Sequence, residues 1–178
     1  AAGPELSGHV LFVINFYGAF VLMLYPLEFG NDPLYPKEND FQVVEKDDLS
    51  GKGVFSKRAF KKGRVIAKMA GPKVSDIRQH TLQIDEITHL YDTYFSGYFL
   101  HSCDPNISLN MRDLTVTTLK NIPANTFLYM DYSETEDRLY KQFPCNCGTR
   151  RCRGWITGNK ELGLAEMEVL SFETFAGQ

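Results

Sequence analysis

Three cysteines crowd into eight residues, Cys145-Asn-Cys147-Gly-Thr-Arg-Arg-Cys152, and nothing else in this chain limits its fold so strongly. Cys145 and Cys147 are too close in sequence to bridge each other comfortably, and the rest of the chain does not read as a small secreted disulfide scaffold. Three thiolates in one short loop can converge on a tetrahedral ion and leave one position open. One further cysteine exists, Cys103, and the four together fill a closed zinc site with no odd thiol left over. A zinc held by four protein ligands has no vacancy for water or substrate, so this metal is a staple and not a catalyst. Free thiolates also imply a reducing, intracellular compartment, nuclear or cytoplasmic.

Short runs rich in Val, Ile, Phe and Thr predict strands beginning at Phe41, Gly53, Arg64, Thr81 and Leu114, and over Phe127 to Tyr132. Gly, Asp, Asn and Pro separate them at irregular spacing, and a helical pattern appears only in the tail from Glu161. A mainly β domain follows. With 178 residues, 43% hydrophobic and 23% charged, one globular unit with its own core is expected. The net charge of −3 argues against direct nucleic-acid binding through a basic field. Residues 1–40 divide into a hydrophobic extension and a linker. Val10 to Leu27 is long and apolar enough for membrane contact or a spanning helix, and equally suits two buried strands. Gly30 to Asp40, with its two prolines, reads as a surface loop before a domain that starts near Phe41.

Cys103 lies in Leu100-His-Ser-Cys-Asp-Pro-Asn106, which resembles the Asn-His-Ser-Cys-x-Pro-Asn motif of the SET-domain family of protein-lysine methyltransferases. Cys145 to Cys152, with the trailing Arg153-Gly154, resembles that family's post-SET zinc motif. Ser50-Gly-Lys-Gly-Val-Phe55 is similar to its first glycine motif, and Ile122 to Tyr132 to its last strand. The resemblance covers residues 41 to 158. It implies a SET fold, with small curved β-sheets around a pseudoknot and a C-terminal zinc-binding loop. The SET domain would span 41–140, the zinc loop 141–158 and a tail 159–178. It also implies S-adenosylmethionine as methyl donor, structural zinc on Cys103, Cys145, Cys147 and Cys152, and a lysine-bearing protein or peptide as partner, with histone tails the family's commonest targets.

By the same resemblance Tyr132 is the catalytic tyrosine. Ser50, Gly51, Lys52, Gly53, Leu100, His101 and Trp155 would line the cofactor, the glycines because backbone must approach it without a side chain in the way. His80 and His89 read as core histidines. Three departures stand out. Leu100 replaces the usual asparagine; Met69-Ala-Gly71 lacks a frequent active-site tyrosine, for which Tyr94 or Tyr98 could substitute; and Met130 replaces an aromatic residue expected to border the substrate amine. They sustain an alternative, a catalytically silent SET fold acting as a protein-binding module.

The cysteine count sets a first expectation: folded protein carries one zinc per chain, and metal analysis of native protein that finds none overturns the assignment.

Overall fold

Alternating apolar and polar side chains turn Phe41–Asp47 into a strand with one buried edge, and Gly51–Ser56 pairs with it antiparallel, Phe41 opposite Ser56 and Val43 opposite Val54. The computed structural model describes residues 12–14 and 20–163. The turn joining these two strands is made by Asp47, whose Oδ1 accepts the backbone N–H groups of Leu49 and Ser50, while Gly51 sits at φ +66. Thr126–Phe127 adds a third strand to the other edge of Gly51–Ser56.

A second three-stranded sheet packs nearby. Val65–Lys68 pairs with Thr115–Thr118, which pairs in turn with Ile107–Asn110, all antiparallel. A third sheet lies between these elements in the chain, built from Lys73–Val74, Thr81–Gln83 and His89–Tyr91. Each sheet buries one face around a shared core that includes Phe41, Phe60, Met69, Leu90, Phe95, Phe99, Val116, Leu128 and Met130. Phe41 stacks on Phe60 with centroids 5.3 Å apart, and Phe95 meets both Phe41 and Phe99 edge to face. Full burial of one such ring contributes about 1.5 to 3 kcal/mol. Several small sheets around one core is the mainly β architecture expected.

The stretch before Phe41 does more than tether. Tyr25 is buried in the core and donates its hydroxyl to Asp92 Oδ2 at 2.6 Å. Asp92 also accepts the N–H groups of Tyr94, Phe95 and Ser96, so a fully buried carboxylate is satisfied by one loop and one tyrosine. Lys68 Nζ pairs with Asp32 at 2.7 Å, and Lys68 N–H bonds the Leu34 carbonyl. Within the apolar run Val10 to Leu27, Phe12–Ile14 and Phe20–Leu22 form an antiparallel hairpin, and among the described residues no helix is long and apolar enough to cross a membrane. Residues 10, 11 and 15–19 of that run, and the expected helical tail from 164 on, lie outside the described residues.

The central crossing is a parallel one. Leu100–His101 lies beside Tyr129–Met130, held by N–H bonds from Leu100 to Leu128 O and from Ser102 to Met130 O. Asn106 locks it from the side: its Nδ2 donates to Phe127 O at 2.9 Å, its Oδ1 accepts from Tyr129 N at 2.8 Å, and its own N–H reaches Tyr129 O. The histidine-cysteine segment is thereby held against the Tyr129–Met130 strand. Asn106→Ala strips both strand partners at once, and each part-buried group left unpaired costs about 1 to 3 kcal/mol. The expected outcome is a loss of about 2 to 4 kcal/mol, read as a lower urea midpoint; an unchanged midpoint overturns the role assigned to this side chain.

Candidate active site

The crossing and the Asp47 turn together frame one large cleft of about 1090 Å3. Ser50, Gly51 and Lys52 line one wall, and Leu100, His101, Tyr129 and Tyr132 line the next. Residues 77–82 and 96–99 close another side, and Phe143, Asn146, Cys147 and Thr149 from the cysteine loop form the rim. Gly53 lies beneath the wall. A Cβ on it would come within 2.6 Å of Leu100 Cδ1 and 3.0 Å of Phe127 Cδ1, so a larger residue would push Leu100 away from its seat.

Tyr132 follows the Tyr129–Met130 strand by two residues and opens a short helical turn that Asp131 caps by accepting Ser133 N–H. Its hydroxyl donates to the carbonyl of Phe99 at 2.8 Å. Burial, helped by the charge of Glu136, holds that hydroxyl well above the ordinary tyrosine range, so it stays neutral. His101 and Phe143 set their rings edge to face against it, with centroids at 5.2 and 5.9 Å. The backbone N–H of Tyr132 points at His101 Nδ1, 3.3 Å away. Burial pushes His101 down to about 4, with Asp131 attraction only partly opposing it, so the ring is neutral at physiological pH.

The four cysteines converge as their count required. Their Sγ atoms all lie within 4.8 Å of one another, and Cys103 Sγ stands 3.8 Å from Cys145 Sγ. A tetrahedral zinc with Zn–S bonds of about 2.3 Å spaces its sulfurs about 3.8 Å apart, whereas a disulfide needs about 2.05 Å. The donor set therefore fits zinc. Arg153, just past Cys152, fastens this loop to the tyrosine segment. Its N–H faces Cys103 Sγ at 3.4 Å, and its guanidinium reaches Asp131 Oδ1 at 2.5 Å and Ser133 Oγ at 2.8 Å.

Of the residues marked in the sequence, Ser50, Gly51, Lys52, Leu100, His101 and Tyr132 come together on the cleft, and Gly53 supports it from below. Trp155 does not. It pairs with Pro144 across the hairpin of Phe143–Pro144 and Trp155–Ile156 and donates its indole N–H to Gln142 at 2.9 Å, while Phe143 enters the cleft. Met130 is 1% exposed and belongs to the core; its neighbour Tyr129 faces the cleft. Tyr98 lines the cleft, its ring tilted against that of His80 with centroids 4.4 Å apart, and Tyr94 lies elsewhere. His80 thus faces the cleft, bonded to Gly97 O, and of these two His89 is the core histidine. Four further contributors went unread in the sequence: the Phe99 carbonyl, Phe143, Arg153 and Glu136. Of these only Arg153 carried a signal, as the basic residue trailing the last cysteine.

Residues 51–133 match the family model described as the SET domain. A 76-residue stretch is 32% identical to "Methyltransferase flvH" of Aspergillus flavus, covering 42% of this chain and 41% of that protein. The chain thus spans about two fifths of the length of this curated relative. Among solved structures, KRYPTONITE in complex with mCHG DNA and SAH aligns with a TM-score of 0.55 at 22% identity, over 65% of this chain and 28% of that one. The methyltransferase domain of human histone-lysine N-methyltransferase SETMAR aligns with a TM-score of 0.53 at 20% identity, over 66% and 58%. At these identities the two structures bear on the fold alone.

Proposed function

Because this chain carries a SET domain, we propose that it is an S-adenosylmethionine-dependent protein-lysine N-methyltransferase with structural zinc on Cys103, Cys145, Cys147 and Cys152. The observation that carries this reading is the seat of Tyr132. Its hydroxyl is fixed on the Phe99 carbonyl, in the same cleft as the Ser50 to Lys52 turn and the Leu100–His101 strand. When bound, S-adenosylmethionine supplies a methyl group on a positive sulfonium. Ser50, Gly51, Lys52, Leu100 and His101 are the residues that would hold it, and the open space where a Cβ of Gly51 would stand suits a close backbone approach.

The protein's own task is to present a neutral amine. A lysine titrates near 10.4, so neutralising it at pH 7 costs about 4.6 kcal/mol. A walled, partly desolvated cleft lowers that cost by disfavouring the ammonium. Since the Tyr132 proton is engaged by Phe99 O, the phenolic oxygen is left to accept an N–H from the amine and aim its lone pair. Phe143 and His101 pack around that oxygen's ring and hold it in place.

The substrate in this reading is a lysine of another protein, with histone tails the first to try. Mild acidity and the absence of a basic field support a peptide rather than a nucleic acid as the direct partner. Four free thiols converging on a zinc-sized site support a reducing, intracellular setting. Tyr132→Phe is expected to keep the fold and cofactor binding while lowering methyl transfer at least about 100-fold, equivalent to about 2.7 kcal/mol at the reacting centre. Transfer of labelled methyl to histones and to a cell extract measures it. An unchanged rate would move the active site elsewhere and favour the silent binding module.

A further inference from the structure

One acidic side chain in the cleft has no cation. Glu136 follows Tyr132 by one turn, its N–H bonded to Tyr132 O at 2.9 Å, and it is 5% exposed. Both carboxylate oxygens share the N–H of Gln83, at 3.1 and 3.2 Å, and Oε1 accepts the Thr135 hydroxyl at 3.0 Å. These donors are neutral. A carboxylate offers about four lone-pair positions, so acceptor capacity remains on the side that lines the cleft. None of the ion pairs among the described residues includes Glu136.

Burying an uncompensated carboxylate is costly, and proteins normally pair it. The surrounding charges do not do so here. Asp137, next in sequence, is itself anionic and paired with Lys160 at 2.9 Å; Tyr132 is neutral; Gln83 is an amide clamped to Asp137. Across the cleft, Arg78 is taken by Asp76 and Lys46 by Asp47; Lys52, Lys141 and the histidines His80 and His101 line other parts of the wall. Burial, with Asp137 adding to it, raises the Glu136 carboxyl to about 7 against the pull of its two donors. A group so placed is matched by a cation that arrives from outside.

We propose that Glu136 is the cleft's receptor for the substrate lysine, binding the incoming ammonium and accepting the proton that must leave before methyl transfer. This rests on the methyltransferase reading above. The proton passes from R–NH3+ to the carboxylate, giving R–NH2 and Glu136–COOH. The freed nitrogen pair then forms the new N–CH3 bond as the S–CH3 bond breaks and sulfur keeps its electrons. The product leaves as R–NH2+–CH3, and the Glu136 proton returns to water through the open cleft. The group acts as acceptor only when ionised, so its contribution grows as pH rises through about 7.

The test is the pH profile of kcat/KM, from about pH 6 to about pH 9, for the full chain on a lysine peptide that it methylates, alongside Glu136→Gln and Asp137→Asn. Glutamine keeps an oxygen for the Gln83 N–H but cannot take a proton. The wild type is expected to rise to an inflection near neutrality and level off toward about pH 9, because the lysine arrives as its ammonium throughout this range. Glu136→Gln should lose the inflection, rise steadily with the neutral fraction of lysine and fall at least about 10-fold below the wild type at about pH 7.5, whereas Asp137→Asn should keep the inflection. An inflection that survives in Glu136→Gln overturns the proposal. Should that variant not fold, peptide affinity of the wild type decides: tighter binding at pH 8 than at pH 6 supports the proposal, and equal binding overturns it. A wild type that methylates no lysine peptide fails the enzyme reading itself, a result distinct from an active enzyme indifferent to Glu136.

Discussion

Everything in the cleft depends on the parallel contact between Leu100–His101 and Tyr129–Met130. Parallel neighbours cannot be joined by a tight hairpin, so the chain between them must cross over, and here it does so through the sheet of Ile107–Asn110 and Thr115–Thr118. The crossing brings the backbone of Phe99 under the Tyr132 hydroxyl and places Cys103 at the edge where the cysteine loop arrives. Asn106 is the bolt, since one amide side chain bonds an acceptor at Phe127 and a donor at Tyr129. A side chain without both an N–H and a C=O could not serve both strands.

The cysteine loop is coupled to this crossing at two depths. At its edge, Cys103 belongs to the crossing and the other three thiols to the loop, so one metal would join segments far apart in the chain. One residue further on, Arg153 ties the same loop to Asp131 and Ser133, the cap of the turn that carries Tyr132. Phe143 rides on the hairpin that begins this loop and presses its ring on His101 and Tyr132. A metal on the four thiols would act in concert with this guanidinium and with the Phe143–Ile156 pairing to keep Phe143 in the cleft.

Four of the longer strands were legible because their apolar periodicity is local: Phe41–Asp47, Gly51–Ser56, Val65–Lys68 and Thr115–Thr118 fall where runs of Val, Phe and Thr predicted them, whereas Ile107–Asn110 was not predicted. Three two-residue strands were not, since Leu100–His101, Phe143–Pro144 and Trp155–Ile156 are too short to show a period and are held by partners elsewhere in the chain. Strand parity explains two differences within the site. Phe143 lies opposite Ile156, and Pro144 opposite Trp155, so Trp155 occupies the other face of the hairpin from the ring that reaches the cleft. Likewise Met130 and Tyr129 are neighbours on one strand and point opposite ways, one into the core and one to the cleft. Residue type suggested the aromatic or apolar character of these positions; only the register decides which of two adjacent residues faces in. Likewise the Gly30 to Asp40 stretch reads as a loop by composition, yet its contacts to Lys68 are set by a strand far along the chain.

Two carboxylates flank the Tyr132 turn, and their surroundings separate their roles. Asp131 is half-buried, which by itself would favour the neutral acid, but Arg153 and the Ser133 donors outweigh burial and hold it below the ordinary carboxylate range. It is a permanent anion with a permanent partner, suited to holding a loop in place. Glu136, five residues on, is buried more deeply and receives only neutral donors, so its carboxyl rises to about 7 instead. The same segment therefore carries one acid fixed as a strut and one poised to change charge near neutrality. Paired groups whose environments drive them apart in this way mark a division between support and chemistry. The unpaired member is the one that opens on the cleft, where a substrate ammonium would meet it beside the tyrosine that must orient the resulting amine.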